Sequence, residues 1–356
     1  MKQKVAIGLS GGVDSSLGAA LLIEQGFEVT GVYITCWDGP GCRSEEDRKD
    51  ALDMAMQLDI PFVHLDYQKE YKEKVYEYMI REYEAGRTPN PDAMCNREIK
   101  FGLFYEWGME KGFDYVATGH YAQIKKGEYM DSPLQLHRSV DEHKDQTYFL
   151  YQLRQEQLGH ILFPIGHLTK SEVREEAARR GLLTAKKPDS VGICFIGEQP
   201  MDTFLEERIK PKQGDILLNN DVVGQHKGAW FYTIGQKIGL DQRKIKEYDP
   251  QNLPHFYVID KDIEKNILFV GTDEKLFKNE IQIGEFHSIA KFQLPISNMT
   301  VRIRHTGDLV EVEEILRQAQ DDNLKIKLTT TIRAVAPGQV AVLYQGERCL
   351  GGGIIL

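Results

Sequence analysis

The chain has 356 residues, 41% of them hydrophobic and 28% charged, with a formal net charge of −10. That balance suits a soluble globular protein of two or three domains, and no run approaches the ~20 consecutive apolar residues of a membrane helix. The opening MKQKVAIGLSGG runs from a short basic start into glycines rather than into the apolar stretch of a signal peptide, which points to the cytoplasm.

The first elements alternate. Val5 to Leu9 reads as a strand, Ser10-Gly11-Gly12 as a turn, and Asp14 to Gln25 as a helix. Glu28 to Thr35 is a second strand, Glu45 to Leu58 a helix, Pro61 to Asp66 a third strand and Tyr67 to Ala85 a long amphipathic helix. Arg97 to Lys111 is another helix and Tyr115 to Thr118 a fourth strand, with shorter helices at Gln155 to Leu158 and Ser171 to Arg180. Strands alternating with helices predict βαβ units and an open, parallel, doubly wound α/β sheet over residues 1–205. Beyond Lys210 the pattern becomes short strand-like runs, at Gly214 to Gln225, Trp230 to Ile234, His255 to Asp260 and Asn266 to Val270. These predict a small, mostly β central domain over 206–275. The alternating runs Met299 to Arg304, Leu324 to Leu328, Gln339 to Tyr344 and Leu350 to Ile355 predict a closed C-terminal β-barrel domain over 276–356.

The five cysteines, Cys36, Cys42, Cys95, Cys194 and Cys349, are odd in number, scattered and without a C-x-x-C pair. They exclude a disulfide-dependent scaffold and supply no structural metal site. An acidic total argues against nucleic acid, whose binding needs cations opposite phosphates. Basic residues nevertheless gather at Lys125–Lys126, Arg179–Arg180 with Lys186–Lys187, Lys237 with Arg243 to Lys246, and Arg302 to His305, so composition alone leaves the partner open.

Three segments carry chemistry. Ser10-Gly11-Gly12-Val13-Asp14-Ser15 follows the first strand, at the ligand side of an open α/β sheet. Glycine amides, serine hydroxyls and the positive end of the next helix make a phosphate cradle there. The Walker A pattern is absent. Arg87-Thr88-Pro89-Asn90-Pro91-Asp92-Ala93-Met94-Cys95-Asn96 holds two prolines that predict an extended loop, with Asp92 three residues before Cys95, where a carboxylate can relay protons. Asp189 to Gly197 places Cys194 between glycines. Alone, each cysteine reads as a buried core thiol. Beside a phosphate-binding loop they read as a pair.

The hexapeptide SGGVDS resembles the signature of the pyrophosphate-loop ATPases, which cleave ATP to AMP and pyrophosphate and activate a substrate oxygen as its adenylate. The remaining motifs narrow the likeness: RTPNPD-x-x-CN-x-x-IKF, ATGHYA, KDQ-x-YFL, FPIG, KK-x-DS-x-GICFIG, HKG-x-x-x-YTIGQ, RAV-x-PGQ-x-AV-x-Y and CLGGGII. Over essentially its whole length the chain resembles the bacterial tRNA-specific 2-thiouridylases. The resemblance implies that Gly8, Leu9, Ser10, Gly11, Gly12, Val13, Asp14 and Ser15 hold the ATP phosphates, accompanied by Mg²⁺, with Ile34 and Gly119 bordering the adenosine. It implies that Asn90, Pro91 and Asp92 meet the target base and that Asp92 acts as acid and base. Cys194 would carry a persulfide, delivered by a sulfur-relay protein or cysteine desulfurase, and Cys95 would release the sulfur. His120, Lys144, Asp145, Gln146, Arg304, His305 and Gln339 would contact the tRNA, with the lysine, glutamate and glutamine acceptors as substrates. The chain departs from the family at Ile34, where Met is common, at His305, where Tyr is common, and at Lys237-Ile238-Gly239, which replaces Arg-Lys-Gly.

Two other readings make distinct predictions. A synthetase adenylating a small metabolite needs neither Cys95 nor Cys194 and no tRNA. A non-catalytic nucleotide-binding module binds ATP without releasing pyrophosphate.

Overall fold

The computed structural model describes residues 2–39, 43–127, 132–189, 201–240, 245, 254–289, 298–317 and 323–356. β1 (Lys4–Gly8), β2 (Glu28–Thr35), β3 (Phe62–Asp66) and β4 (Tyr115–Ala117) are followed by a hairpin, β5 (Ala122–Lys126) and β6 (Leu134–Arg138), and by the short strand β7 (Ile161–Leu162). Five of these make a parallel sheet of order β3-β2-β1-β4-β7. Val5, Ala6 and Ile7 of the central strand are fully buried because helices cover both faces, the condition that lets a strand be apolar throughout. The helices α1 (Val13–Glu24) and α2 (Ser44–Gln57) arise close to their expected limits.

The two long helical runs are not uniform. Gln68–Tyr71 and Glu77–Glu84 flank a π-helical turn at Lys72–Tyr76, and a second π-helical stretch, Asn96–Leu103, joins Pro91–Cys95 to Phe104–Glu110. The second helix thus begins six residues earlier than expected. Proline at the first helical position lacks only an amide hydrogen that would have no helical partner, so Pro91 starts the helix instead of holding an extended loop.

The central sheet contains β8 (Gly214–Leu218), β9 (Asp221–His226), β10 (Lys237–Ile238), β11 (Phe256–Asp262) and β12 (Ile267–Gly271), in the order β10-β11-β12-β8-β9. The strand expected at Trp230 to Ile234 is instead a 3₁₀ turn, Ala229–Phe231. Gly228, at φ +144°, turns the chain into it, and the Ala229 amide donates to Asn266 Oδ1 at 3.0 Å.

The last sheet holds β13 (Phe277–Ser288), β14 (Met299–Arg302), β15 (Val310–Arg317), β16 (Leu324–Arg333), β17 (Val340–Gln345) and β18 (Arg348–Ile355). β13 pairs with both β16 and β18, which closes the expected barrel. The hairpin β5–β6 extends this sheet, Leu136 pairing with Cys349. Residues 122–138, expected within the α/β pattern, therefore belong by hydrogen bonding to the C-terminal sheet. No helix among the described residues is long and apolar enough to cross a membrane.

Candidate functional site

The chain winds from β1 outward to β3 and then returns to the other side of β1 as β4. The sheet's topological switch point thus lies between the carboxyl ends of β1 and β4, where open α/β sheets bind ligands. Gly8 ends β1, and Gly119 follows β4 by two residues. Gly11 adopts φ +74°, and a Cβ on it would fall 2.5 Å from the carbonyl oxygen of Asp47, so only glycine fits. Gly12 is the N-cap of α1 and provides no side-chain cap, which leaves the first-turn amides to an anion. The hydroxyls brace the turn: Ser10 Oγ lies 3.2 Å from Ser15 Oγ, and Ser16 Oγ donates to Gly12 O at 2.8 Å. A Cβ on Gly119 would fall 2.7 Å from the Ser15 nitrogen, so the end of β4 rests directly against the loop. Ile34, near the end of the neighbouring strand β2, is 7% exposed. These features fit a nucleotide polyphosphate.

Asp14 points into a group of charges that sequence reading missed. Lys170 Nζ lies 2.8 and 2.9 Å from its two carboxylate oxygens and 2.9 Å from Asp189 Oδ1. The Tyr121 hydroxyl donates to Asp14 Oδ1 at 2.7 Å. Asp189 also receives Lys144 Nζ at 2.8 Å and Arg174 Nη2 at 2.6 Å. Burial raises the Asp189 pKa, but hydrogen bonds from Lys144 and Lys170 outweigh it and hold the carboxyl well below its ordinary range. One signal in the sequence marks Lys170. It follows the Thr169 cap at the first position of the helix Lys170–Arg179, where the dipole disfavours a cation and an outside anion must justify it.

Asn90 caps the helix Pro91–Cys95, its Oδ1 accepting from the Ala93 amide at 3.0 Å. Asp92 and Cys95 stand three residues apart and so share a helical face. Asn96 Nδ2 donates to the Asp92 carbonyl at 2.9 Å. Cys95 is 0% exposed and lies in the core cluster that includes Ile34, Cys36 and Met94. Among the described residues Cys36, Cys95 and Cys349 form no disulfide. Cys194 lies outside the described residues, as does Cys42.

The residues expected to meet tRNA divide. Arg304 is exposed, with Nη2 donating to Ala334 O at 2.7 Å, and Lys144 is partly exposed beside Asp189. His305 packs at a tilt against Phe149, 4.5 Å between centroids, and its Nε2 lies 3.0 Å from Asp145 O. Gln146 Oε1 accepts from the Tyr121 amide at 2.9 Å. Gln339 Nε2 donates to Thr88 O at 2.9 Å and Pro89 O at 3.2 Å. His120 is buried, its Nδ1 2.7 Å from Thr118 Oγ1, and burial with the nearby Lys100 charge keeps the ring neutral well below the ordinary histidine pKa.

Asp145 differs most from expectation, because its side chain is 0% exposed. Its carboxylate accepts from Arg302 Nη1 at 2.9 Å and from Thr147 Oγ1 at 2.9 Å, with Arg138 Nε at 3.5 Å. That carboxylate holds the interior together and faces no ligand surface. Asp145→Ala would take away the carboxylate paired with the nearly buried Arg302, while Arg138 keeps Glu347 at 3.2 Å, and is expected to destabilise the fold by about 3–5 kcal/mol in denaturant titration. An unchanged midpoint would refute the buried ion pair.

The sites are physically joined. Tyr121 touches Asp14 through its hydroxyl and Gln146 through its amide, Asp145 immediately precedes Gln146 in sequence, and the Asp145 carbonyl meets His305. Among the described residues no group of three or more His, Cys, Asp or Glu is placed to hold a metal ion.

Comparison with known proteins covers most of the chain. The tRNA methyl transferase HUP domain family matches residues 3–198, the tRNA methyl transferase PRC-barrel domain family residues 202–272, and the aminomethyltransferase beta-barrel domain family residues 278–355. A tRNA-specific 2-thiouridylase MnmA of Streptococcus thermophilus (strain ATCC BAA-491 / LMD-9) is 45% identical over 376 residues, covering 99% of this chain and 95% of the relative. The protein of the same name from Streptococcus pyogenes serotype M49 (strain NZ131) is 44% identical over the same shares. Among solved structures, the U34-tRNA thiolase NcsA from Methanococcus maripaludis aligns with TM-score 0.37 and 18% identity, over 54% of this chain and 61% of that one.

Proposed function

The chain belongs to the tRNA-specific 2-thiouridylase family, and from that premise we propose that it adenylates the 2-oxygen of a wobble uridine in the tRNA anticodon and replaces that oxygen with sulfur. The products are 2-thiouridine, AMP and pyrophosphate. The observation that carries this reading is the link from the phosphate loop to a second site: Asp14 is tied through Tyr121 and Gln146 to the segment that meets His305.

The uridine oxygen is a poor leaving group until adenylation lets it depart with AMP. The uncapped end of α1 and the Gly11–Gly12 turn hold the nucleotide's phosphates, while Lys170 neutralises Asp14 and keeps the loop from repelling them. Mg²⁺ would accompany the nucleotide and offset charge on the departing pyrophosphate, while both Asp14 oxygens stay engaged by Lys170. Asn90, Pro91 and Asp92 receive the base, which leaves its stack at little cost in a single-stranded loop. The Asp92 carboxylate moves protons at that base and at the Cys95 thiol, one helical turn away. Arg304, Lys144 and His305 supply tRNA contacts. Cys194 carries the sulfur as a persulfide loaded by a relay protein or desulfurase, and the lysine, glutamate and glutamine tRNAs are the proposed acceptors.

Incubation of the protein with tRNA, ATP and sulfide, followed by mass spectrometry of the nucleosides, tests the reading. One 2-thiouridine per AMP and pyrophosphate is expected. Release of ADP and inorganic phosphate would overturn it, as would AMP release that is indifferent to tRNA, the mark of a small-metabolite synthetase. A methylated uridine formed without ATP would instead favour the activity in the name of the matching domain families.

A further inference from the structure

The segment 87–92 is gripped from outside its own domain. From the barrel, Pro337 O accepts from the Thr88 amide at 2.8 Å, and Gln339 Nε2 donates to the carbonyls of Thr88 and Pro89 at 2.9 and 3.2 Å. Between them Gly338 adopts φ +90°, and a Cβ there would fall 2.8 Å from both Arg87 Cβ and the Thr88 nitrogen. From the central domain Thr233 Oγ1 lies 3.1 Å from Thr88 Oγ1. The fully buried Tyr148 hydroxyl, within 2.9 Å of Val340 O and 3.1 Å of Ile303 O, also meets the Asn90 side chain.

The chemistry of the segment explains why its anchoring comes from elsewhere. Pro89 and Pro91 have no amide hydrogen, so the chain cannot be fixed through N–H groups at those positions. Apart from the Thr88 amide, its carbonyls carry the anchoring, and one primary amide with two hydrogens can serve two adjacent carbonyls. Gln339 does so, which commits both hydrogens of that amide within the protein.

We infer that Gln339 is a positioning residue for thiolation: acting from the C-terminal barrel through Thr88 and Pro89, it sets the pose in which Asn90, Pro91 and Asp92 present themselves to the target base. The inference rests on the assignment of that loop to base recognition. It gives the barrel a part in catalysis rather than in tRNA affinity alone. Gly338 shares the task by allowing the barrel turn to come within contact of Thr88.

The test compares Gln339→Met, which keeps the length of the side chain and removes both donors, with the unaltered full chain. The kcat for 2-thiouridine formation is expected to fall about tenfold to a hundredfold, the usual cost of a misplaced reacting group, while KM for tRNA and for ATP stays within twofold. Amide hydrogen exchange at Thr88 and at the first turn of the helix Pro91–Cys95 should quicken. Gly338→Ala, which adds no group facing RNA, should produce the same pattern. A raised KM for tRNA with unchanged kcat and unchanged exchange would make Gln339 a tRNA contact and overturn the inference. Should the unaltered protein form no 2-thiouridine, the function is wrong and the positioning role falls with it. If it does form the product and exchange quickens without a change in kcat, the positioning role alone is refuted.

Discussion

Cys194→Ser is expected to abolish 2-thiouridine formation while tRNA-dependent release of AMP's partner product, pyrophosphate, continues. The two outcomes separate because the oxygen is activated by the phosphate loop and displaced by sulfur. In the proposed step the terminal sulfur of the Cys194 persulfide attacks C2 of the adenylated uridine, the carbon–sulfur bond forms and AMP leaves with the oxygen. A persulfide is softer and less basic than a thiol, and serine cannot form one. The Cys95 thiolate then attacks the Cys194 sulfur and the sulfur–sulfur bond breaks. The thiolated base departs with its electron pair, leaving a Cys95–Cys194 disulfide for a thiol reductant to reopen. Cys95→Ser should therefore load sulfur on Cys194 yet stall with the base attached, a species that mass spectrometry of the protein–tRNA adduct would register. Normal thiolation by both variants would end this mechanism even with adenylation intact.

Gly119→Ala is expected to cut pyrophosphate formation by at least about a hundredfold, the scale on which misaligned anion-binding donors cost rate. The added methyl would fall 2.7 Å from the Ser15 nitrogen, 2.9 Å from the Asp14 carbonyl carbon and 3.0 Å from the Ser15 Cα. All three are backbone atoms of the first turn of α1, so no side chain can rotate away, and either the loop or the end of β4 must move. Gly239→Ala, where a Cβ meets no described residue within 4 Å, is the control and should leave the reaction unchanged. ATP-dependent pyrophosphate release by Gly119→Ala at the ordinary rate would show that the phosphates do not depend on that turn.

The parallel sheet is legible in the sequence because its strands are apolar on both faces and its helices are long. Val5 to Ile7 and Val32 to Ile34 leave little room for another reading. The β5–β6 hairpin is not legible, because AQIKK and LQLHR are half polar and their partner β18 comes far later in the chain. β15 is obscured by its polarity: in VEVEEILR only Val310 is buried, so the burial follows no firm alternation. The glycine loop and the Asp92–Cys95 pair are local and can be read directly. Lys144, Asp145 and Gln146 look alike as a polar triplet, yet one reaches Asp189, one is enclosed with Arg302 and one holds Tyr121. Their partners lie 25 to 157 positions away, which no local pattern encodes. Lys170 could have been noticed from its place at a helix start, but Asp14 as its partner is a product of the fold.

The hairpin that crosses from the first domain into the last sheet has a consequence for how the molecule melts. Phe101, Leu136, Tyr148 and Leu150 share one apolar core with Val340, Val342, Tyr344 and Cys349. Covalently these are distant regions. Energetically they are one foldon, because neither half can open without exposing the other's buried face. The barrel is therefore no detachable appendage for gripping RNA: a chain interrupted before it would retain the residues of the phosphate loop but display an unpaired strand edge and bare aromatic rings, the surface from which aggregation begins.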